Sequence, residues 1–462
     1  MSRTSRQKKH DNKQSERSLM EKVSAFFDRY EKILVVFSIT MGFLTGILLF
    51  DVKVSLSGDD CDYIVAAKAF WKNFTYPGHH GPFYPIILSP FVGLFGVKLI
   101  LLKSLSLIFM LASFLLFYKS FRHTVPSVIL LPSLLFVCIN PHVLFFASYT
   151  YSEPLFMFMQ ALFFYLFSRY FRNNRDYTFK KDWIKHLVTV LVIMGMGLTR
   201  TIGFSVIGAI ILYFMIERRW KDLISIIGIF VVIFGLFSLL KPVIWPDSGT
   251  VQSFEMLLAK NPYQLHEGTE DIPGLIQRVI KNSHIYLSGF LYRYLGLRSH
   301  SEFPLEDIPV LSMATYILFI ICLISVFKKN KPLLFTGLYA GILTFASFVL
   351  LHTLWAQDRI IMVYYPYILL FLTGGIYYLL KSSRLKKYSW IYPLLLISVF
   401  IGTGIHLTAK VKNNLPILQQ NILGNNLYGL TPDWENFIKM CRWANDNLDK
   451  NAVIASRKPT IS

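Results

Sequence analysis

Cysteine is scarce in this chain. Cys61, Cys138, Cys322 and Cys441 are the only four in 462 residues, and no two form a CxxC pair. That excludes a disulfide-stapled secreted scaffold and the usual zinc and thiol-redox spacings. Cys138 and Cys322 sit in apolar runs and read as inert packing residues; a pairing of Cys61 with Cys441 stays open. Charge is also sparse, at 16% of residues, and acid is the rarer sign, with 27 Asp and Glu against 47 Lys and Arg. In a soluble chain a net charge of +20 would suggest nucleic acid. Here the Lys and Arg residues fall in short blocks between apolar runs, where they orient helices, so nucleic acid is excluded as a partner. No A-x-A-like cleavage site follows the first apolar run, which makes Ile33 to Phe50 a retained span. Internal repeats are absent, and so is low complexity beyond the polar, basic start "MSRTSRQKKHDNKQSERS".

What the sequence does have is apolar surface: 54% hydrophobic and 16% aromatic residues. These values imply an all-α polytopic protein whose solvent is a lipid bilayer. With about 20 apolar residues needed per crossing, candidate spans are Ile33 to Phe50, Val97 to Tyr118, Val128 to Phe146, Leu155 to Phe167, Leu187 to Leu198, Ile202 to Ile216, Leu223 to Ile244, Val310 to Phe327, Leu333 to Leu351, Ile360 to Leu380 and Trp390 to Leu407. That is about eleven transmembrane helices. "RYFRNNRDYTFKKDWIKH" and "ERRWKD" flank the doubtful stretch Leu187 to Ile216. Because both basic blocks prefer the cytoplasm, two short spans must separate them, with Arg200 at the far turn. The arm, "YKSFRH", "KKNKP" and "KSSRLKK" then also fall inside, which puts a multi-pass protein in the plasma (bacterial inner) membrane with a cytoplasmic N-terminus.

The division that follows is a basic cytoplasmic tail over 1–32, a transmembrane domain over 33–407 with outer loops 51–96 and 245–308, and an outer tail over 408–462. The tail carries an amphipathic "WENFIKMCRWAND", then an apolar run of the kind that opens a strand. A piece that short makes a marginal domain, so we expect the natural product to extend further. Two outer segments read as interfacial helices. "PGLIQRVIKNSHIYLSGFLYRYLG" puts its apolar residues on one face and leaves Arg278, Lys281 and Arg293 for lipid head groups. "FYPIILSPFVGLFG" is too short and too rich in Pro and Gly for a span.

The residues able to do chemistry collect in the outer segments. "SGDDCDY" gathers Asp59, Asp60 and Asp62 just past the first span. They could be loop charges that merely avoid lipid, or an acid among aromatics whose partial burial fits it to act as a general base. Glu153 in "TYSEPLF" suits both a helix N-terminus and a functional acid. Arg200 in "GLTRTIG" lies where a lone cation is expensive without a partner, which Glu153 or a phosphate could supply. Arg359 in "WAQDRIIMVYYP" has Asp358 beside it as a simple salt-bridge partner. His79 and His80 diverge on most backbones and read as polar loop or substrate-contacting residues rather than a metal pair. Lys103 and Lys241 read as snorkelling or paired structural residues.

The run "GDDCDYIVAAKAFWKN", followed by "YPGHHGPFYPIILSPFVGLFG", resembles the first outer loop of GT-C glycosyltransferases. The resemblance is to the group similar to bacterial protein O-mannosyltransferases and lipid A aminoarabinose transferases (glycosyltransferase family 39-like). It is carried by the acidic pair Asp59 and Asp60, Tyr63, Ala66 and Ala67, then Gly81, Pro82, Tyr84, Pro85 and Gly96. It implies a polyprenyl-phosphate-linked sugar donor, an extracytoplasmic acceptor, and inversion at the anomeric carbon. By this resemblance Asp59 is the base, while Asp60 orients the acceptor or, with Asp59, assists a divalent metal ion. It also puts Tyr63, His80, Tyr84, Glu153, Arg200 and Arg359 at the substrates. Arg359 resembles the Arg-Tyr-x-x-Pro arginine of relatives, with Ile360 where the pattern has Tyr, and Asp60 stands where relatives often carry Glu. A transporter or flippase of lipid-linked glycans, and a surface-polysaccharide polymerase or ligase using the loop Trp245 to Ile308, are the alternatives.

Overall fold

The structure is a computed structural model. It describes residues 19–53, 58–78, 81–172, 179–246, 258–261, 263–298, 307–353, 358–382, 384–449 and 452. Among these residues the protein is a helical bundle without named strands. In chain order the helices are α1 (Leu19–Arg29), α2 (Glu31–Leu48), α3 (Asp59–Asn73), α4 (Phe83–Phe95), α5 (Leu99–Phe121), α6 (Ser127–Cys138), α7 (Pro141–Phe145), α8 (Ser152–Phe171), α9 (Phe179–Thr199) and α10 (Val206–Ile216). They continue with α11 (Trp220–Ile244), α12 (Ile272–His284), α13 (Leu291–Tyr294), α14 (Pro309–Val326), α15 (Lys331–Leu350), α16 (Asp358–Met362), α17 (Tyr365–Leu380), α18 (Ile391–Ile422) and α19 (Pro432–Asn447).

Every span read from the apolar runs falls on helical structure, though Val128 to Phe146, Ile202 to Ile216 and Ile360 to Leu380 each fall on two or more consecutive helical segments. Seven helices are long and apolar enough to cross a membrane by themselves, and the bent pair Ser127–Cys138 and Pro141–Ser148 makes an eighth. The shorter apolar helices are Phe83–Phe95, Thr201–Ile216 and Tyr365–Leu380, while α8, over the span read at Leu155 to Phe167, falls in neither group. Eleven crossings stays a proposal. The break in the third span has a local cause: Asn140 caps α7, its Oδ1 accepting from the His142 and Val143 amides, and Pro141 follows at the first helical position.

The basic blocks meet at one end of the bundle. There Lys331 pairs with Glu217 at 2.7 Å, Asn330 donates to the Thr124 carbonyl at 2.7 Å, and the Tyr118 hydroxyl donates to Glu31 at 2.7 Å. Lys386 approaches Glu21 to 3.6 Å at the same end. The segments called outer lie at the other end, which is the separation a charge-oriented topology requires.

Two details differ from the sequence reading, and one open alternative is decided. The helix through Ile272–Tyr294 exists, with a π-helical turn at Ile285–Phe290, but Arg278 and Arg293 are buried rather than turned to head groups. Arg278 donates to the Ala259 carbonyl at 2.9 Å and faces Glu270, while Ile272, Ile276 and Ile280 form the exposed stripe. Periodicity marks a face but does not say which side packs. Of the two readings left open for Lys103, the structure has the paired structural one: it is fully buried, and its ammonium donates to the carbonyls of Asp51 and Lys53 and sits 5.5 Å from the Tyr149 ring. The final span continues past Leu407 to Ile422 without interruption, so position 408 falls inside α18. The proposed strand start after Asn451 lies outside the described residues, Ala452 apart.

Candidate active site

At the end of the bundle opposite the basic blocks, a cavity of about 450 Å³ is lined by residues from widely separated parts of the chain. Asp59 enters it from the first turn of α3. Gly58 precedes that helix at φ +100°, a conformation that glycine adopts without strain, and so allows the sharp turn out of the loop. Gly81 brings the loop after α3 against the end of α9: a Cβ there would lie 2.0 Å from the Thr199 carbonyl oxygen. This is a physical reason for one glycine of the "GPFYP" segment. Arg200 follows directly on α9 in extended conformation and turns into the cavity. Arg359 comes from α16.

Glu153 lies in the first turn of α8, where the helix dipole favours a carboxylate, and is 1% exposed. Its Oε1 accepts from Arg200 Nη1 and stands 3.8 Å from Arg359 Nε. Arg359 Nη1 in turn reaches Asp59 Oδ2 at 2.5 Å. The result is an alternating row, Asp59, Arg359, Glu153, Arg200, in which each charge has an opposite neighbour. Burial works against the Arg359 charge, but Glu153 and Asp59 outweigh it and hold the guanidinium above its ordinary value. Arg359 also lies 5.4 Å above the Tyr151 ring.

Tyr63 closes one wall. Its hydroxyl donates to Ser152 Oγ at 3.0 Å, and Arg200 Nη1 reaches the same Oγ at 3.4 Å. Burial, with the Glu153 charge next, pushes the Tyr63 phenol up to about 12, so it stays a neutral donor at any working pH. Tyr84 packs edge-on to Tyr63 at 5.0 Å, with its hydroxyl 3.4 Å from Ser106 Oγ. It therefore supports the wall from behind.

Of the residues singled out from sequence, Asp59, Tyr63, Arg200 and Arg359 line the cavity, with Glu153 joined to both arginines. Asp60 does not line it. It is 3% exposed, on a different side of α3, close enough to Lys103 and Tyr149 for its charge to be felt there. His79 and His80 lie outside the described residues. Among the described residues no group of three His, Cys, Asp or Glu is placed to hold a metal ion, and Asp59 and Asp60 do not converge on one point.

Lys241, read from the sequence as a snorkelling or paired structural residue, lines the cavity from the end of α11 with its ammonium 4.7 Å from the Tyr76 ring. Its signal was the one that singled out Arg200: a lone cation in an apolar run, here "FSLLKPVIW". Tyr76 and Phe74 stack on Trp245, whose indole N–H donates to the Phe74 carbonyl at 2.8 Å, fastening α11 to the loop after α3. Phe204, Phe234 and Phe237 make the remaining wall apolar. Beyond them α11 exposes Val231, Val232, Leu236, Leu239, Leu240 and Val243.

No family model matches the chain, and no curated protein matches it. Solved structures do. The oligosaccharyltransferase of Archaeoglobus fulgidus, crystallised with Zn and sulfate, is similar at 14% identity and a TM-score of 0.51 over 82% of this chain and 53% of that one. This chain thus spans about half the length of that relative. ArnT from Cupriavidus metallidurans is similar at 11% identity and a TM-score of 0.52 in the apo state, over 92% of this chain and 84% of that one. Its crystal structure bound to undecaprenyl phosphate is similar at 13% identity and a TM-score of 0.50, over the same shares. What these likenesses show is a shared polytopic helical fold.

Proposed function

We propose that this protein is a membrane glycosyltransferase that takes a sugar from a polyprenyl-phosphate-linked donor and passes it to a hydroxyl-bearing lipid, glycan or protein on the extracytoplasmic face. The observation that carries the reading is the row Asp59, Arg359, Glu153, Arg200 at a cavity with one polar and one apolar wall. A lipid-linked phosphate needs both: cations for its oxygens and an opening for its chain. The likeness to ArnT, solved with undecaprenyl phosphate, supports the same choice of donor.

In this reading the donor lies along α11 with its phosphate between Arg200 and Lys241. Asp59 takes the proton from the acceptor hydroxyl as that oxygen forms its bond to the anomeric carbon, and the sugar is inverted. The bond from the anomeric carbon to the phosphate oxygen breaks, and the charge left on the phosphate is met by Arg200 and Arg359. Without donor, Asp59 is tied to Arg359. A phosphate that draws on Arg359 loosens that tie and frees the carboxylate for the acceptor hydroxyl. Ionisable groups collected at helix ends on one side fit this chemistry better than a transporter, which places them near mid-bilayer.

The test is Asp59→Asn in proteoliposomes supplied with a panel of polyprenyl-phosphate sugars. We expect sugar transfer to be abolished while the thermal unfolding midpoint stays within a few degrees of the parent. Unchanged transfer by the variant would remove Asp59 as the base. Transfer by the parent from no donor in the panel would count against the enzyme class.

A further inference from the structure

A second cavity, of about 430 Å³, lies at the other end of the bundle between α1 and the turn from α17 to α18, and plays no part in the transfer chemistry. α17 connects the two regions. It starts six residues after Arg359 and, at about 1.5 Å per residue, carries the chain roughly 24 Å before Leu380 and Lys381 line the second cavity.

Its floor is apolar, made by Met20, Tyr377 and Leu380. Its rim is charged in balance: Glu21 and Asp28 from α1 face Lys381 and Lys386 from the turn. Lys386 Nζ is 3.6 Å from Glu21 Oε1 across the mouth. Lys381 sits 5.5 Å from the Tyr377 ring, and neither it nor Asp28 is in an ion pair among the described residues.

Two features put the mouth at the level of lipid head groups. On α1, Leu19 and Phe26 lie seven residues apart on one face and are half exposed, while Met20 is buried against the bundle, so the helix has one apolar side for protein and one for membrane. At the start of α18, Tyr388 and Trp390 are 41% and 51% exposed, the aromatic anchoring typical of an interface.

A phosphate alone in this cavity would satisfy the lysines but face two carboxylates, and a cation alone would meet the reverse. A ligand with a phosphate and a primary ammonium a few ångströms apart meets both pairs. We propose that this cavity holds the head group of an ethanolamine-class aminophospholipid, with its phosphate at Lys381 and Lys386 and its ammonium at Glu21 and Asp28. A choline head group has no N–H to give the carboxylates, and so is the weaker ligand. The bound head group joins α1 to the turn at the far end of α17.

Native mass spectrometry of the full chain, offered equal amounts of phosphatidylethanolamine, phosphatidylcholine and phosphatidylglycerol, tests the assignment. Phosphatidylethanolamine should be retained over each of the others by about fivefold, the scale of one charge-assisted hydrogen bond at a partly exposed site. The double variant Glu21→Gln with Asp28→Asn should bring phosphatidylethanolamine down to the phosphatidylcholine level without lowering phosphatidylglycerol. Lys381→Ala with Lys386→Ala should lower phosphatidylethanolamine and phosphatidylglycerol together. These four side chains are exposed, so folding should survive. Equal retention of the three lipids, or an ethanolamine preference that survives both double variants, overturns the proposal. Capture of soluble phosphoethanolamine with no lipid retained overturns the lipid source.

Discussion

Two clusters of acids and bases sit at opposite ends of α9. At its C-terminal end Arg200 joins Glu153, Arg359 and Asp59 around the first cavity. At its N-terminal end His186 Nε2 meets Asp222 Oδ1 at 2.9 Å, Arg219 closes on the other Asp222 oxygen at 2.7 Å, and Lys185 pairs with Asp182 at 2.6 Å. The chemistry is nearly the same and the access is not. Asp59, Arg200 and Arg359 keep 28%, 23% and 23% of their side-chain surface, whereas His186 keeps 1% and Asp222 8%. Arg219 spends its remaining capacity on the Phe171 carbonyl and the rings of Phe171 and Phe214. One cluster holds helices together at the basic end, and the other leaves charged atoms facing open space. Paired charge in a membrane bundle therefore does not by itself mark a site; paired charge on a cavity wall does.

Substitutions that should separate the two clusters would sharpen or break this contrast. Glu153→Gln removes the carboxylate shared by both arginines and leaves two cations side by side. Transfer should fall by at least about 100-fold, the scale of one lost electrostatic contact in a transition state, measured as turnover in proteoliposomes. Asp222→Asn at the other end should lower stability by about 3 kcal/mol, because it takes the counter-charge from the largely covered Arg219, while turnover per folded molecule stays as in the parent. Thermal denaturation in detergent alongside active-site-normalised rates reads both. A large turnover loss in Asp222→Asn at full stability would collapse the distinction. Arg359→Lys keeps the charge but loses the fork that spans Asp59 and Glu153, and should cost about tenfold in turnover with little change in melting.

The sequence revealed the members of the open cluster better than their geometry. Arg200 stood out because a lone cation at the edge of an apolar run needs a partner, and that cost is local; Glu153 stood out as an acid suited to a helix N-terminus, and Arg359 by the resemblance. Which groups become partners is a long-range matter: Asp59 and Arg359 are 300 positions apart, and nothing in their spacing predicts a 2.5 Å contact. Adjacent residues were the hardest to tell apart. Asp59 and Asp60 follow each other in one helix turn, about 100° apart around its axis, so one faces the cavity and the other the buried lysine Lys103. Arg278 and Arg293 were misjudged for a related reason, since a helical face is legible but the side that packs is set by neighbours such as Glu270. The spans themselves were legible because lipid leaves the backbone no alternative to helix.

Lys241 gives the smallest expected effect and the finest test of what the open cluster is for. It stands across the cavity from the row of paired charges, stacked over Tyr76 and in no ion pair among the described residues. Removing it disturbs neither Arg200 nor Asp59. If it meets the donor phosphate equally in the ground state and in the transition state, Lys241→Ala should raise the KM for the lipid-linked donor by about fivefold to tenfold and leave kcat unchanged. The shift should shrink as salt is raised, because an exposed charge pair is screened. A fall in kcat with KM unchanged would instead give Lys241 a role confined to the departing phosphate, and would move the leaving-group end of the cavity away from Arg200 towards α11.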